Sequence, residues 1–248
     1  MLLDKTHCTC CGRCVDICPA GAIRPVGRAK KFRIDQDLCV ECGTCFRSGA
    51  CPEPGALVRL KLRWPRTVRS LFSDPMIVHS GTGVPGRGTE EMKTNDVTGR
   101  LGPGQIGVSI DMGRLGMTTT FADIQRVAAA CAGAGARFEP RNPLTGLMAD
   151  ANRGKFVPGI LRERVLSAII EVRIERGRLA TLLSSLRQVA GEVDTVFSVG
   201  LCFLARPGST PRALRKELKA SGMRPLPNGK INVGLGRPLC LPRGRERA

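Results

Sequence analysis

Tyrosine is absent from these 248 residues, and Trp64 is the single tryptophan. Surfaces that grip single-stranded nucleic acid stack bases on aromatic rings, so the scarcity weighs against such a role. Histidine is nearly missing as well. His7 and His79 are the two imidazoles, which leaves few groups for proton transfer near neutrality. No apolar run approaches the ~20 residues that a membrane helix needs; residues 165–170 are among the longest. Met1, Leu2 and Leu3 are followed at once by Asp4 and Lys5, so no signal-peptide core is present, and the chain reads as soluble and cytoplasmic. A P-loop is lacking, and Gly81-x-Gly83-x-x-Gly86 opens no helical pattern, so neither nucleotide fingerprint applies.

Negative charge is also short. The formal net charge is +18, and residues 201–248 carry eleven Lys/Arg against Glu217 and Glu246. A basic C-terminal part, ending in a tail at 241–248, suits nucleic acid, an anionic surface or an acidic protein. The shortage of rings disfavours the first, and the reading is an acidic redox partner, either a ferredoxin or a catalytic subunit. Bound clusters would offset some of the excess, because a four-cysteine [4Fe–4S] site carries about −2 when oxidised.

Cysteine is what the chain has in abundance. Nine of twelve lie in the first 51 residues. Cys8-x2-Cys11-x2-Cys14-x3-Cys18-Pro19 has the spacing of bacterial two-cluster ferredoxins, in which three close thiolates wrap one cubane and the fourth reaches the other. A second copy follows as Cys39-x2-Cys42-x2-Cys45 and Cys51-Pro52, and "CPAGAI" and "CPEPGAL" mark the duplication. The crossed wiring gives cluster I to Cys8, Cys11, Cys14 and Cys51, and cluster II to Cys39, Cys42, Cys45 and Cys18. Between Cys45 and Cys51 lie five residues where the pattern has three. Cys10 therefore stands as a substitute ligand for cluster I should Cys51 fall short. Zinc ribbons also use C-x2-C pairs, yet not three cysteines followed by Cys-Pro. Cys131, Cys202 and Cys240 read as ordinary thiols.

The coarse organisation is α+β. Residues 1–64 form the dicluster module, with short strands expected at 4–7 and 32–35. "LVRLKLRW" sets Val58, Leu60, Leu62 and Trp64 against Arg59, Lys61 and Arg63, and its alternation predicts a strand with a basic outer face. Residues 65–105 read as a Gly/Pro-rich connecting segment holding a candidate site loop. Residues 106–240 read as a ferredoxin-like split βαβ, or α/β plait, domain. Its strands are expected at 106–112, in "ARFEP", in "VLSAIIEVRIE" and at 195–204. Helices are expected on Phe121, Ile124, Val127 and Cys131, and on Leu179, Leu182, Leu186 and Val189. An appended α–β unit starts at Thr210-Pro211, with a helix to Gly222 and a strand at 231–235; "GKINVGLGR" there echoes "GQIGVSIDMGR".

The stretches "HSGTGVPGRGTEEMKTNDVTGR", "FEPRNPLTGLMAD", "VLSAIIEV" and "DTVFSVG" resemble the iron–sulfur proteins described as 6-hydroxynicotinate reductase. The likeness covers residues 1 to about 205, and "KTNDVTGR" (93–100) is its most specific part. It implies an oxidoreductase of anaerobic metabolism that partly reduces an N-heteroaromatic acid with ferredoxin electrons. Such chemistry needs low-potential single electrons from two [4Fe–4S] clusters, and a flavin converts them to pairs. The residues themselves supply candidates. Arg87, Lys93 or Arg100 would hold an aromatic carboxylate; His79, Glu90, Glu91 or Asp96 would relay protons; Asn95 lies among them. A solvated loop of paired charges is the plainer alternative. A ferredoxin-type electron-transfer protein that docks a separate catalytic partner is the alternative function.

Overall fold

The computed structural model describes residues 1–27, 31–79, 83, 89, 98–114, 116–204 and 210–225. The candidates Arg87, Glu90, Glu91, Lys93, Asn95 and Asp96, the strand expected at 231–235 and the tail at 241–248 lie outside them.

The N-terminal module is built on two minimal antiparallel ladders. β1 (Leu2–Leu3) pairs with β4 (Leu57–Val58), and β2 (Ile23–Pro25) with β3 (Phe32–Ile34). A short helix, α1 (Thr44–Arg47), carries Cys45, the last of the three closely spaced cysteines of the second run. Ala22, Ile23, Ile34 and Leu57 pack with Cys14, Cys39 and Cys45 in one small core. The strand expected at 4–7 is a turn instead. Asp4 accepts hydrogen bonds from the Thr6 N–H (2.8 Å) and hydroxyl (2.6 Å), which offers the backbone an alternative to a ladder.

The longer strand expected from 57 to 64 is also not formed. Pairing ends at Val58, because β1 offers two residues of partner. Leu60 is exposed and Trp64 is 56% exposed, so the alternation has no layer to bury its apolar side.

What the composition suggested was connecting segment begins with a helix, α2 (Thr67–Ser73). Val68 and Phe72, four apart on one side, are buried in the core of the second domain. The helix also carries Arg69, which is buried. Its guanidinium donates to the carbonyls of Gln36 (2.7 Å) and Cys39 (2.8 Å) in the cluster module, and pairs with Glu163 of the second domain. Arg66, one turn earlier, binds Glu41 (2.6 and 2.9 Å) and Gln36. A backbone bond from Gly116 N–H to the Pro19 carbonyl (2.7 Å) adds a second tie.

The second domain is a four-stranded antiparallel sheet ordered β12-β5-β11-β7, from β5 (Gln105–Met112), β7 (Arg137–Phe138), β11 (Ala168–Glu175) and β12 (Phe197–Phe203). Each helical crossover joins strands that have a third between them. α3 (Phe121–Gly133) leads from β5 to β7 with β11 between, and α4 (Leu179–Val189) leads from β11 to β12 with β5 between. Register explains the burial. Ala168, Ile170, Val172 and Ile174 stand opposite Met112, Ile110, Val108 and Ile106, all buried, and the apolar stripes of α3 and α4 belong to the same core. Thr120 caps α3 by accepting the Asp123 N–H (3.1 Å). Gly113 ends β5 with φ +77°, where a Cβ would stand 2.7 Å from the Leu166 carbonyl. Between β7 and β11 the chain makes two small ladders: β8 (Met148–Asp150) with β9 (Lys155–Phe156), and β10 (Arg164–Val165) with β6 (Thr119–Thr120). α5 (Pro211–Ala220) opens on a Thr210 cap with Pro211 in its first turn. Among the described residues no helix is long and apolar enough to cross a membrane.

Phe72 touches Phe121 edge-on at 5.7 Å and His79 at 5.2 Å. Phe72→Ala should cost about 3–5 kcal/mol of unfolding free energy, whereas Trp64→Ala should stay within about 0.5 kcal/mol. Urea unfolding of both variants checks this, and equal losses would contradict the assigned role of α2.

Candidate functional site

The cysteines gather as two sets, each drawn from both ligand runs. A cavity in the module is lined by Cys18, Cys39, Cys42 and Cys45, with Ile23 and Ile34 among its apolar walls. Burial pushes the Cys45 thiol up to about 12, and Cys42, Cys18 and Cys39 add to the shift as neighbouring charges. The Cys14 thiol is likewise raised, first by burial and then by Cys51, Cys11 and Cys8. Like charges placed together disfavour deprotonation until a cation arrives, so such pockets release protons when they take metal.

The stretched spacing before Cys51 is accommodated by α1. The helix runs through Arg47, the chain reverses at Ser48 and at Gly49 with φ +66°, and Cys51 returns beside Cys8 and Cys14. Cys10 also lies against Cys8, with its Sγ 3.8 Å from the Cys8 carbonyl and φ 56°. The Ala22 N–H donates to Cys18 Sγ at 3.2 Å, the kind of bond that lowers charge on a metal-bound thiolate. Three thiols of the second set are buried, while Cys11 of the first is exposed. Among the described residues, no three His, Cys, Asp or Glu side chains converge to hold a single ion; a four-iron cluster is several ångströms across and needs its ligands further apart than one ~2.3 Å zinc shell does.

Charge around the second set is paired. Glu41, between Cys39 and Cys42, is buried with φ 57°. Burial would raise its carboxyl, but the Met1 amino group (2.6 Å) and Arg66 outweigh this and hold it below the ordinary value. Burial raises the Cys39 thiol, and Glu41 adds to it.

The two remaining described candidates behave differently. His79 is buried against Phe72, and among the described residues its Nε2 has no hydrogen-bond partner. Arg100 pairs with buried Glu139, so its charge is engaged by the protein. The residues around it were not singled out in the sequence. Glu171, in the middle of β11, is buried and accepts from Asn142 Nδ2 (2.7 Å), the Thr89 N–H (2.9 Å) and the Thr89 hydroxyl (2.7 Å). Glu139 N–H donates to the Glu171 carbonyl at 2.9 Å. Arg100, Glu139 with Asn142, and Glu171 come from three of the stretches that carried the resemblance. A further cavity, about 460 Å³, lies where the module meets the second domain. Its walls include Thr44, Phe72, Asp74, Arg114, Leu166 and Ser167.

Comparison with known proteins places the cysteine run. Residues 7–57 match the 4Fe-4S dicluster domain. An uncharacterized ferredoxin of Methanocaldococcus jannaschii is 31% identical over 62 residues, covering 24% of this chain and 78% of that protein. A ferredoxin-like protein from the vnf region of Azotobacter vinelandii is 40% identical over 55 residues, 21% of this chain and 82% of that protein. No solved structure matches.

Burial is the first cause that lifts the Glu171 carboxyl above its ordinary 4.5. A raised acid stabilises the fold below the unfolded value and loses that contribution as pH climbs through the folded one. Glu171→Gln should therefore gain on the wild type in urea unfolding as the pH is raised above the ordinary carboxylate range. A difference that stays flat with pH would sink the assignment.

Proposed function

The chain belongs, through residues 7–57, to the 4Fe-4S dicluster ferredoxins, and we propose that it is an electron-transfer oxidoreductase carrying two [4Fe–4S] clusters. Cys8, Cys11, Cys14 and Cys51 would hold cluster I; Cys39, Cys42, Cys45 and Cys18 would hold cluster II. The observation that carries this reading is the cavity bounded by four thiols from both runs. The clusters supply single electrons at low potential. The chain's own residues bury the second set, donate the Ala22 N–H to Cys18, and bring the Arg69 guanidinium to the Cys39 carbonyl. The N–H bond and the guanidinium favour the more reduced, more negative state of a nearby cluster, whereas burial opposes it.

The second domain turns a carrier into a candidate reductase. We read it as a split βαβ plait that offers a site to a small N-heteroaromatic acid, as in a ferredoxin-dependent 6-hydroxynicotinate reductase. The junction cavity supports this, since Thr44 lies between the ligands Cys42 and Cys45, and Arg114 stands in its wall. A pocket of this size suits one or two rings, Phe72 gives it an aromatic face, and Arg114 would bind the carboxylate. Arg100 is not the carboxylate binder in this reading, because Glu139 already takes its charge. Flavin is the cofactor that would pair the electrons.

Anaerobically purified protein should contain about eight irons and about eight sulfides per chain, and acid extraction should release a flavin. Iron without flavin, and no 6-hydroxynicotinate-dependent oxidation of the reduced clusters, would leave the electron carrier and remove the reductase. Cys51→Ala should lose iron and one of two reduced-cluster EPR signals, while Cys10→Ala should keep both. Equal iron loss in the two variants would overturn the ligand sets.

A further inference from the structure

Several apolar side chains of the cluster module and of the segment after α2 are left in water. Phe46 follows the ligand Cys45 in α1 and is 48% exposed; Met76 is 69% exposed. Leu2 and Val58 stand directly opposite each other in the β1–β4 ladder, so they share a face, and both are exposed, as is Leu60. One buried carboxylate draws these segments together. Asp74 receives Arg47 of α1 at 2.9 Å and Arg59, next to Val58, at 2.6 Å, and it also accepts the Met76 N–H at 3.0 Å. Gly43 is part of the same design. At its φ of +69° a Cβ would stand 2.5 Å from the Arg47 guanidinium and 3.4 Å from the Asp74 carboxylate.

Phe46, Val58, Leu60 and Met76 are thus exposed on segments that one carboxylate ties together through two pinned arginines, and exposed Lys61 and Arg63 continue the positive charge along the chain. Exposed apolar groups ringed by charge of one sign mark protein interfaces. The sign selects an acidic partner, and it speeds the encounter. Pinning matters because arginines already held by Asp74 lose little side-chain freedom on contact.

We propose that this face docks an acidic electron-carrier protein and is the port through which electrons reach cluster II. The assignment rests on the two-cluster reading above. One electron would leave the reduced iron–sulfur centre of the partner, oxidising it, and would pass to the cluster that Cys18, Cys39, Cys42 and Cys45 would hold, reducing that cluster. No bond forms or breaks, and no proton is required.

The test uses cluster-loaded full-length protein and a chemically reduced acidic [2Fe–2S] plant-type ferredoxin as probe. Stopped-flow absorbance should show cluster reduction that slows as salt rises. Met76→Glu and Phe46→Glu should each slow it at least tenfold at low salt, while Val196→Glu, on the exposed approach to β12, should not. Met76→Glu should also leave iron content and reduction by dithionite unchanged, which separates this proposal from the two-cluster reading. A wild type without iron would end that reading. Loaded protein whose Met76→Glu variant accepts ferredoxin electrons at the wild-type rate would overturn the port alone. So would a salt-independent rate, or sedimentation showing that Met76→Glu abolishes self-association, or vesicle flotation showing that it abolishes binding to anionic lipid.

Discussion

Everything in this fold that concerns electrons depends on where Arg69 is held. A guanidinium taken out of water is costly unless its donors are matched, and here they are matched across a boundary. Two backbone carbonyls of the cluster module and one carboxylate of the second domain share it. Removing any of these partners leaves a buried charge unmet, so the two halves of the chain are fixed to each other by a polar contact. Val68 and Phe72 on the same helix then supply the apolar side of that junction.

Buried charge recurs in the molecule as pairs. Glu41 answers Arg66, Asp74 answers Arg47 and Arg59, Glu139 answers Arg100, and Glu171 is met by neutral donors from Asn142 and Thr89. A chain with many arginines and few acids thus uses several of its carboxylates to neutralise arginines within the fold. The first three pairs lie in or beside the cluster module, and Glu41 with Arg66 acts on the charge of Cys39. The last two belong to the second domain, with Glu171 in β11.

The sequence was most legible where chemistry demands fixed spacing or a layer demands alternation. Cysteine intervals announce cluster ligation, because thiolates must meet metal at set distances. Residues 106–112 and 168–174 alternate because one side is buried under α3 and α4, while the other, Gly107 and Glu171 apart, is only partly covered. The same alternation misled at 58–64, where no second layer exists, and nothing local in Leu60 or Trp64 distinguishes the two cases. α2 was missed because it is only seven residues long, with Val68 and Phe72 as its two deeply buried apolar side chains. Glu171 alternates with the core side chains of β11 and gave no signal in the sequence; its partners Asn142 and Thr89 are distant along the chain. Arg100 was noticed for its loop, but its partner Glu139 lay in a different stretch with no pattern linking them.

The difference in cover between the two cysteine sets has a bearing on life in air. Cys11 faces solvent, whereas Cys39, Cys42 and Cys45 do not. Dioxygen and peroxide reach the most open thiol first, so oxidation would begin at the first set. Because Cys18 lies with Cys39, Cys42 and Cys45, losing the first set would still leave the two cysteine runs joined through the second.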